Sequence, residues 1–178
     1  MNKRLSFLVI LVMVLAFEMT VVGCDNGSTN GDRDIWSNVT SFSQLHGNWK
    51  AQSTVTANFQ DIKVTAVCTN YTLTFNDTVK TMSVSGSVTA TYSGSNTNAI
   101  WSDIKELLGE MNEMEGVTVT FNDAKHSYTI TYNYFSQTLT NEDITEILNS
   151  GLKINQTETK LSTKDFMGIG VEIIYTKQ

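Results

Sequence analysis

The chain has 178 residues, the length of one domain with room for a short appendage. Twelve basic residues against eighteen acidic ones leave a net charge of −6, and no run of Lys or Arg occurs. That balance argues against nucleic acid as a partner.

In chain order, Lys3 and Arg4 precede a nearly unbroken apolar run from Leu5 to Phe17, interrupted only by Ser6. Spanning a bilayer takes about 20 residues, so the run is short for that purpose. A positive start before a run of this length is the layout of an export signal; the competing reading is a buried core helix. Directly behind it stands Val21-Val22-Gly23-Cys24, two aliphatic residues, a small one and a cysteine. This tetrapeptide resembles the lipobox of bacterial lipoproteins, and the stretch VVGCDNGS is similar in style to lipoproteins of spirochaetes. Glu18, between the run and the box, departs from the pattern.

The resemblance implies that the Cys24 sulfur is alkylated with diacylglycerol, that the peptide is cut before Cys24, and that the new amine is acylated. Two or more acyl chains hold a protein stably on a membrane, at about 0.8 kcal/mol per buried CH₂. The following residues, DNGSTNGDRDIWSN (25–38), have the Gly/Ser/Asn/Asp composition of a flexible tether. The expected organisation is a signal peptide over 1–23, lipidated cysteine and tether over 24–41, and one β-rich domain over 42–178. The protein is then exported and lipid-anchored to a bacterial membrane, at its periplasmic face or at the cell surface. Asp25 resembles an inner-membrane retention signal of enteric bacteria, a rule that spirochaetes are not known to follow, so both membranes stay open. Loss of 1–23 removes Lys3, Arg4 and Glu18 and leaves ten basic and seventeen acidic residues, net −7. With Cys24 lipidated, Cys68 has no partner for a disulfide.

Beyond the tether, period-two alternation dominates and predicts strands. Trp49, Ala51, Ser53, Val55 and Ala57 share one face of the first. Ile62, Val64, Ala66 and Cys68 open a second, on which Tyr71, Leu73 and Phe75 continue with shifted parity. One extra residue near Thr69-Asn70, a β-bulge, accounts for that slip. Met82, Val84, Gly86, Val88, Ala90 and Tyr92 mark the third strand, whose other face is built from Ser and Thr. Later strands are expected through Val117–Phe121, Tyr128–Tyr134, Leu152 to about Lys160, and Ile169–Tyr175.

Helical spacing interrupts this twice. Ile100, Ile104, Leu107, Leu108 and Met111 form one apolar stripe, and Ile144, Ile147 and Leu148 a shorter one. Thr140 and Asp143 have the spacing of an N-terminal capping box, and Gly116 and Gly151 can close the two helices. TLTFND (72–77) returns as TVTFND (118–123), and DIKELLG (103–109) as DITEILN (143–149), an echo consistent with a duplicated hairpin–helix unit.

No pattern calls for catalysis or a cofactor. His46 and His126 are the only histidines, and neither stands at metal-ligand spacing with Cys, Asp or the other. There is no Gly-x-Ser-x-Gly and no phosphate loop, and the oxygen-rich DNGSTNGDRD (25–34) lacks the spacing and closing glutamate of a calcium hand. A protein without enzymatic activity is therefore expected.

The motif SQLHGNWK places Gly47-x-Trp49 at the start of the first strand. This resembles the opening of lipocalin-like bacterial lipoproteins, in which the Trp packs across the closed end of an antiparallel barrel. The expected fold is mainly β, a lipocalin-like barrel or a strongly curved sheet with two short helices. The alternative is an α+β open antiparallel sheet carrying both helices on one face. Trp49, Tyr92, Tyr128, Tyr132 and Tyr134 are the candidate ligand-binding residues, with the four tyrosines sharing the interior as apolar walls with polar tips. The competing readings are that these rings are ordinary core, and that the domain contacts another envelope or host protein.

Overall fold

Which strands form, and where they break, follows from one long bent strand near the middle of the sheet. The structure is a computed structural model and describes residues 35–59, 61–163 and 172–178. The leader, Cys24, most of the tether, and positions Ile169 and Val171 of the last expected strand lie outside the described residues. In chain order the elements are β1 (Trp36–Asn38), a 3₁₀ turn (Phe42–Leu45), β2 (Gly47–Ala51), β3 (Thr54–Phe59), β4 (Ile62–Asn76), β5 (Thr81–Ser93) and α1 (Thr97–Gly109). There follow a second 3₁₀ turn (Glu110–Glu113), β6 (Val117–Asn122), a third (Asp123–Lys125), β7 (Ser127–Thr138), α2 (Asn141–Asn149), β8 (Lys153–Asn155), β9 (Lys160–Ser162) and β10 (Ile174–Lys177).

Among the described residues the ten strands make one sheet in the order β1-β8-β9-β10-β2-β4-β5-β7-β6, with β3 on β4, and every pairing is antiparallel. Among the described residues the sheet is not closed. The curved-sheet form of the expected fold is therefore the one adopted, with two helices, and the closed barrel is not. One physical reason sits at the β6 edge. The Asn112 side chain accepts from the Val119 N–H (2.6 Å) and donates to its carbonyl (3.4 Å), occupying groups through which a further strand would pair.

The parity slip in β4 is a bulge. Pairing with β5 shifts between Thr69 and Thr72, and Asn70 adopts φ +50°. Ile62, Val64 and Ala66 before it and Tyr71, Leu73 and Phe75 after it are all buried. The bend also breaks the partner. The expected single strand from Trp49 to Ala57 is two strands, with β2 against Thr72–Phe75 and β3 against Ile62–Val67. Gln52 at the break bonds β10 instead, its N–H to the Ile174 carbonyl and its side-chain oxygen to the Ile174 N–H.

The expected strand from Leu152 to Lys160 is a short hairpin, β8–β9. Buried Asn155 makes its turn, since its side-chain oxygen accepts from the Thr159 and Lys160 N–H groups (2.9 and 2.8 Å) and its amide donates to the Thr157 and Thr159 hydroxyls. The hairpins β4–β5 and β6–β7 lie side by side, joined through β5 and β7, and each is followed by a helix. Their echoed asparagines act alike at the turns: Asn76 accepts from the Thr78 and Val79 N–H groups, and Asn122 from that of Lys125.

Both helices turn apolar side chains into the same core as the strands, Trp101, Ile104 and Leu108 from α1 and Ile147 from α2. Gly116 and Gly151 have φ of +78° and +84°. The capping box forms: Thr140 Oγ1 accepts from the Asp143 N–H (3.2 Å), while Asp143 accepts from the Thr140 N–H and hydroxyl (2.7 Å each). Thr140→Ala is expected to cost about 1 kcal/mol. In urea unfolding this reads as a lower midpoint at unchanged slope.

Candidate functional site

The inward face of the sheet gathers aromatic rings into two touching groups. Around the β4 bulge, Tyr71 lies 5.7 Å from Tyr132 on β7 and 6.4 Å from Tyr175 on β10, centroid to centroid. Beside α1, Tyr92 lies 6.0 Å from Tyr128 and 6.3 Å from Trp101, which meets Phe121 edge-on at 6.1 Å. Three of the candidate tyrosines, Tyr92, Tyr128 and Tyr132, are thus brought together and buried.

Tyr134 is a correction: its side chain is outside, 74 % exposed. Simple alternation along β7 would place it inward with Tyr132. Pairing with β5 instead jumps from Gly86↔Tyr132 to Val84↔Phe135, which leaves Asn133 and Tyr134 opposite Ser85. Tyr134 takes φ +60° in that bulge, and the half-buried Phe135 packs on the core in its place.

Tyr71, Tyr175 and Trp101, which the sequence does not single out as candidates, each supply a ring. Tyr71 carried a usable signal, because it is the first inward residue after the parity slip. Tyr175 and Trp101 did not, since only tertiary pairing brings β10 and α1 to this place.

Trp49 is fully buried at the end of the sheet over which the first 3₁₀ turn folds. Its indole N–H donates to the Leu45 carbonyl at 2.6 Å, and the Lys177 ammonium stands 5.0 Å from its ring centroid. Phe42 of the same turn packs edge-on to Phe75 at 5.9 Å. This is a locked end, with no face of Trp49 turned to solvent.

The interior is strongly disposed against negative charge. Burial pushes the Tyr71, Tyr128, Tyr132 and Tyr175 hydroxyls well up from the ordinary tyrosine value, and the hydroxyls reinforce one another where they are close. Burial also raises Cys68, a half-buried neighbour of Tyr71 and Tyr175, which keeps it a thiol at neutral pH rather than a nucleophilic thiolate. Tyr92 and Tyr128 are hydrogen-bonded to each other. The Tyr132 hydroxyl is buried and finds no hydrogen-bond partner among the described residues.

The histidines stand apart from this cluster's hydroxyls. His46 Nδ1 accepts from the Asp77 N–H at 3.2 Å. His126 meets Trp101 edge-on. Asp123, in the echoed turn, accepts from Trp101 Nε1 (2.7 Å) and Lys105 Nζ (3.0 Å), bonds that hold its carboxyl below the usual range and clamp α1 to the β6–β7 hairpin. No group of three His, Cys, Asp or Glu that could hold a metal ion occurs among the described residues, and no described helix is long and apolar enough to cross a membrane.

No protein-family model matches the chain, and no curated protein or solved structure matches it either. The site therefore rests on its own geometry: apolar walls carrying neutral hydroxyls, on the inward face of a curved antiparallel sheet.

Proposed function

We propose that the protein is a bacterial envelope lipoprotein, exported and held on a membrane by acylated Cys24, without enzymatic activity, whose lipocalin-like domain binds a small apolar ligand. The observation that supports the binding reading most is the tyrosine-rich inward face, where Tyr71, Tyr132 and Tyr175 converge with one hydroxyl left unpaired among the described residues. Rings of this kind give a ligand apolar contact area and a polar tip to orient it. The anchor reading rests on Val21-Val22-Gly23-Cys24 behind the apolar run.

The second reading is an interaction lipoprotein that meets another envelope or host protein through its outward face. That face carries hydroxyl rows across neighbouring strands, such as Thr69–Ser87–Thr131–Thr118, with exposed Val67 beside them. One preparation separates the readings. The full-length chain made in a bacterium is expected to incorporate labelled palmitate and sediment with membranes, whereas Cys24→Ala does neither. The chain begun at residue 24 with Cys24→Ala keeps every described contact, because all of these lie within 35–178. Incubated with an envelope lipid extract, it is expected to carry one discrete adduct in native mass spectrometry. A folded chain with no adduct would instead favour the second reading.

A further inference from the structure

We infer that the ligand of this face is an uncharged amphiphile with one hydrogen-bonding oxygen, an alcohol or a carbonyl, and that the Tyr132 hydroxyl is the group that meets it. The inference rests on the binding reading above and names the chemistry of that same site.

Tyr132 is 3 % exposed, and its hydroxyl is the one buried side-chain polar atom without a partner among the described residues. Native proteins pair nearly all such groups, because water lost on burial is not otherwise replaced. Its cross-strand neighbours offer it no side-chain polar atom. Opposite Tyr132 on β5 stands Gly86, which has no side chain, and on β6 stands Val117, which has no polar atom in its side chain. The other hydroxyls of the cluster lie near without bonding it, and Tyr128 is already engaged with Tyr92. A ligand that reaches this face with an oxygen of its own would supply that partner.

That oxygen is neutral for two reasons. The groups gathered there are Tyr71, Tyr128, Tyr175 and Cys68, all uncharged at neutral pH, and none can offset a carboxylate or a phosphate. The burial that holds their protons on would equally oppose an anionic headgroup.

Displacement of N-phenyl-1-naphthylamine, an uncharged fluorescent probe, tests this on the chain begun at residue 24 with Cys24→Ala. Oleyl alcohol and oleate share one chain and differ in headgroup charge. At pH 8 oleyl alcohol is expected to displace the probe at about one tenth the concentration that oleate needs. Tyr132→Phe keeps the ring and is expected to melt at or above the wild-type temperature, since it removes an unpaired hydroxyl. It should weaken oleyl alcohol about tenfold, the worth of one modest hydrogen bond, and leave oleate and the probe unchanged. Oleate binding as well as the alcohol does, or Tyr132→Phe binding the alcohol like wild type, would overturn the inference while the binding reading stood. A chain that binds neither the probe nor either amphiphile would sink both.

Discussion

Gly86→Ala is expected to lose about 3 kcal/mol of stability or more, the sum of a backbone strain and a backbone clash. Gly86 holds φ +92°, a region that costs a residue with a Cβ of the order of 1–3 kcal/mol. An added Cβ would stand 2.2 Å from the Asn70 carbonyl oxygen and 2.7 Å from that of Thr69, atoms of the neighbouring strand that cannot rotate away. The position is special because two irregularities meet there. The β4 bulge at Asn70 lies on one side of β5, and the β7 bulge at Asn133–Tyr134 lies on the other. The two bulges bend the sheet about Gly86, and an alanine would pry β4 from β5 at the middle of the fold. Gly109 is the control. Its backbone is helical and an added Cβ there meets nothing within 4 Å, so Gly109→Ala should gain about 0.4–1 kcal/mol. Urea unfolding of the two variants reads both signs. A Gly86→Ala protein within about 0.5 kcal/mol of wild type, the scale of an ordinary surface change, would mean that β4 and β5 run farther apart than described.

The same bulges decide how much of the fold was legible in the sequence. The β4 bulge could be read because apolar residues changed parity across Thr69-Asn70, and Asn is at home in the left-handed region. The β7 bulge could not, because the residue placed there at φ +60° is a tyrosine, and alternation runs on past it unbroken in the sequence. Alternation therefore places Tyr134 inward, whereas its side chain points out. The break between β2 and β3 was hidden for a related reason: Trp49, Ala51, Ser53 and Val55 keep perfect period two, and the bend belongs to the partner strand. Helix positions and the Thr140 box were visible because local chemistry sets them. Barrel closure was not, since it depends on whether two distant edges meet, and a side chain from outside the strand, Asn112, occupies part of one of those edges. In the candidate site, Tyr92, Tyr128 and Tyr132 were recoverable from parity, whereas Tyr175 and Trp101 arrive by tertiary pairing alone.

Trp49→Ala is expected to cost about 3–5 kcal/mol, the range for emptying a buried aromatic site. The indole is wholly buried, so its removal leaves a cavity beside the first 3₁₀ turn and β10. Its N–H anchors the first 3₁₀ turn through the Leu45 carbonyl, and the turn in turn sets Phe42 on Phe75. On the other side the Lys177 ammonium covers the ring and β10 pairs directly, Lys177 opposite Trp49. Lys177→Met removes only the charge over the ring and should cost less than about 1 kcal/mol. Trp49→Phe keeps most of the apolar volume but leaves the Leu45 carbonyl without its donor, so an intermediate loss of about 1–3 kcal/mol is expected. The ordering Ala, then Phe, then Lys177→Met distinguishes a packing role from a ligand-facing one. If Trp49 faced a ligand, Trp49→Phe would keep wild-type stability and change probe binding. If it locks the end of the sheet, Trp49→Phe loses stability and binds N-phenyl-1-naphthylamine as before, which is the result the buried N–H and the filled end require.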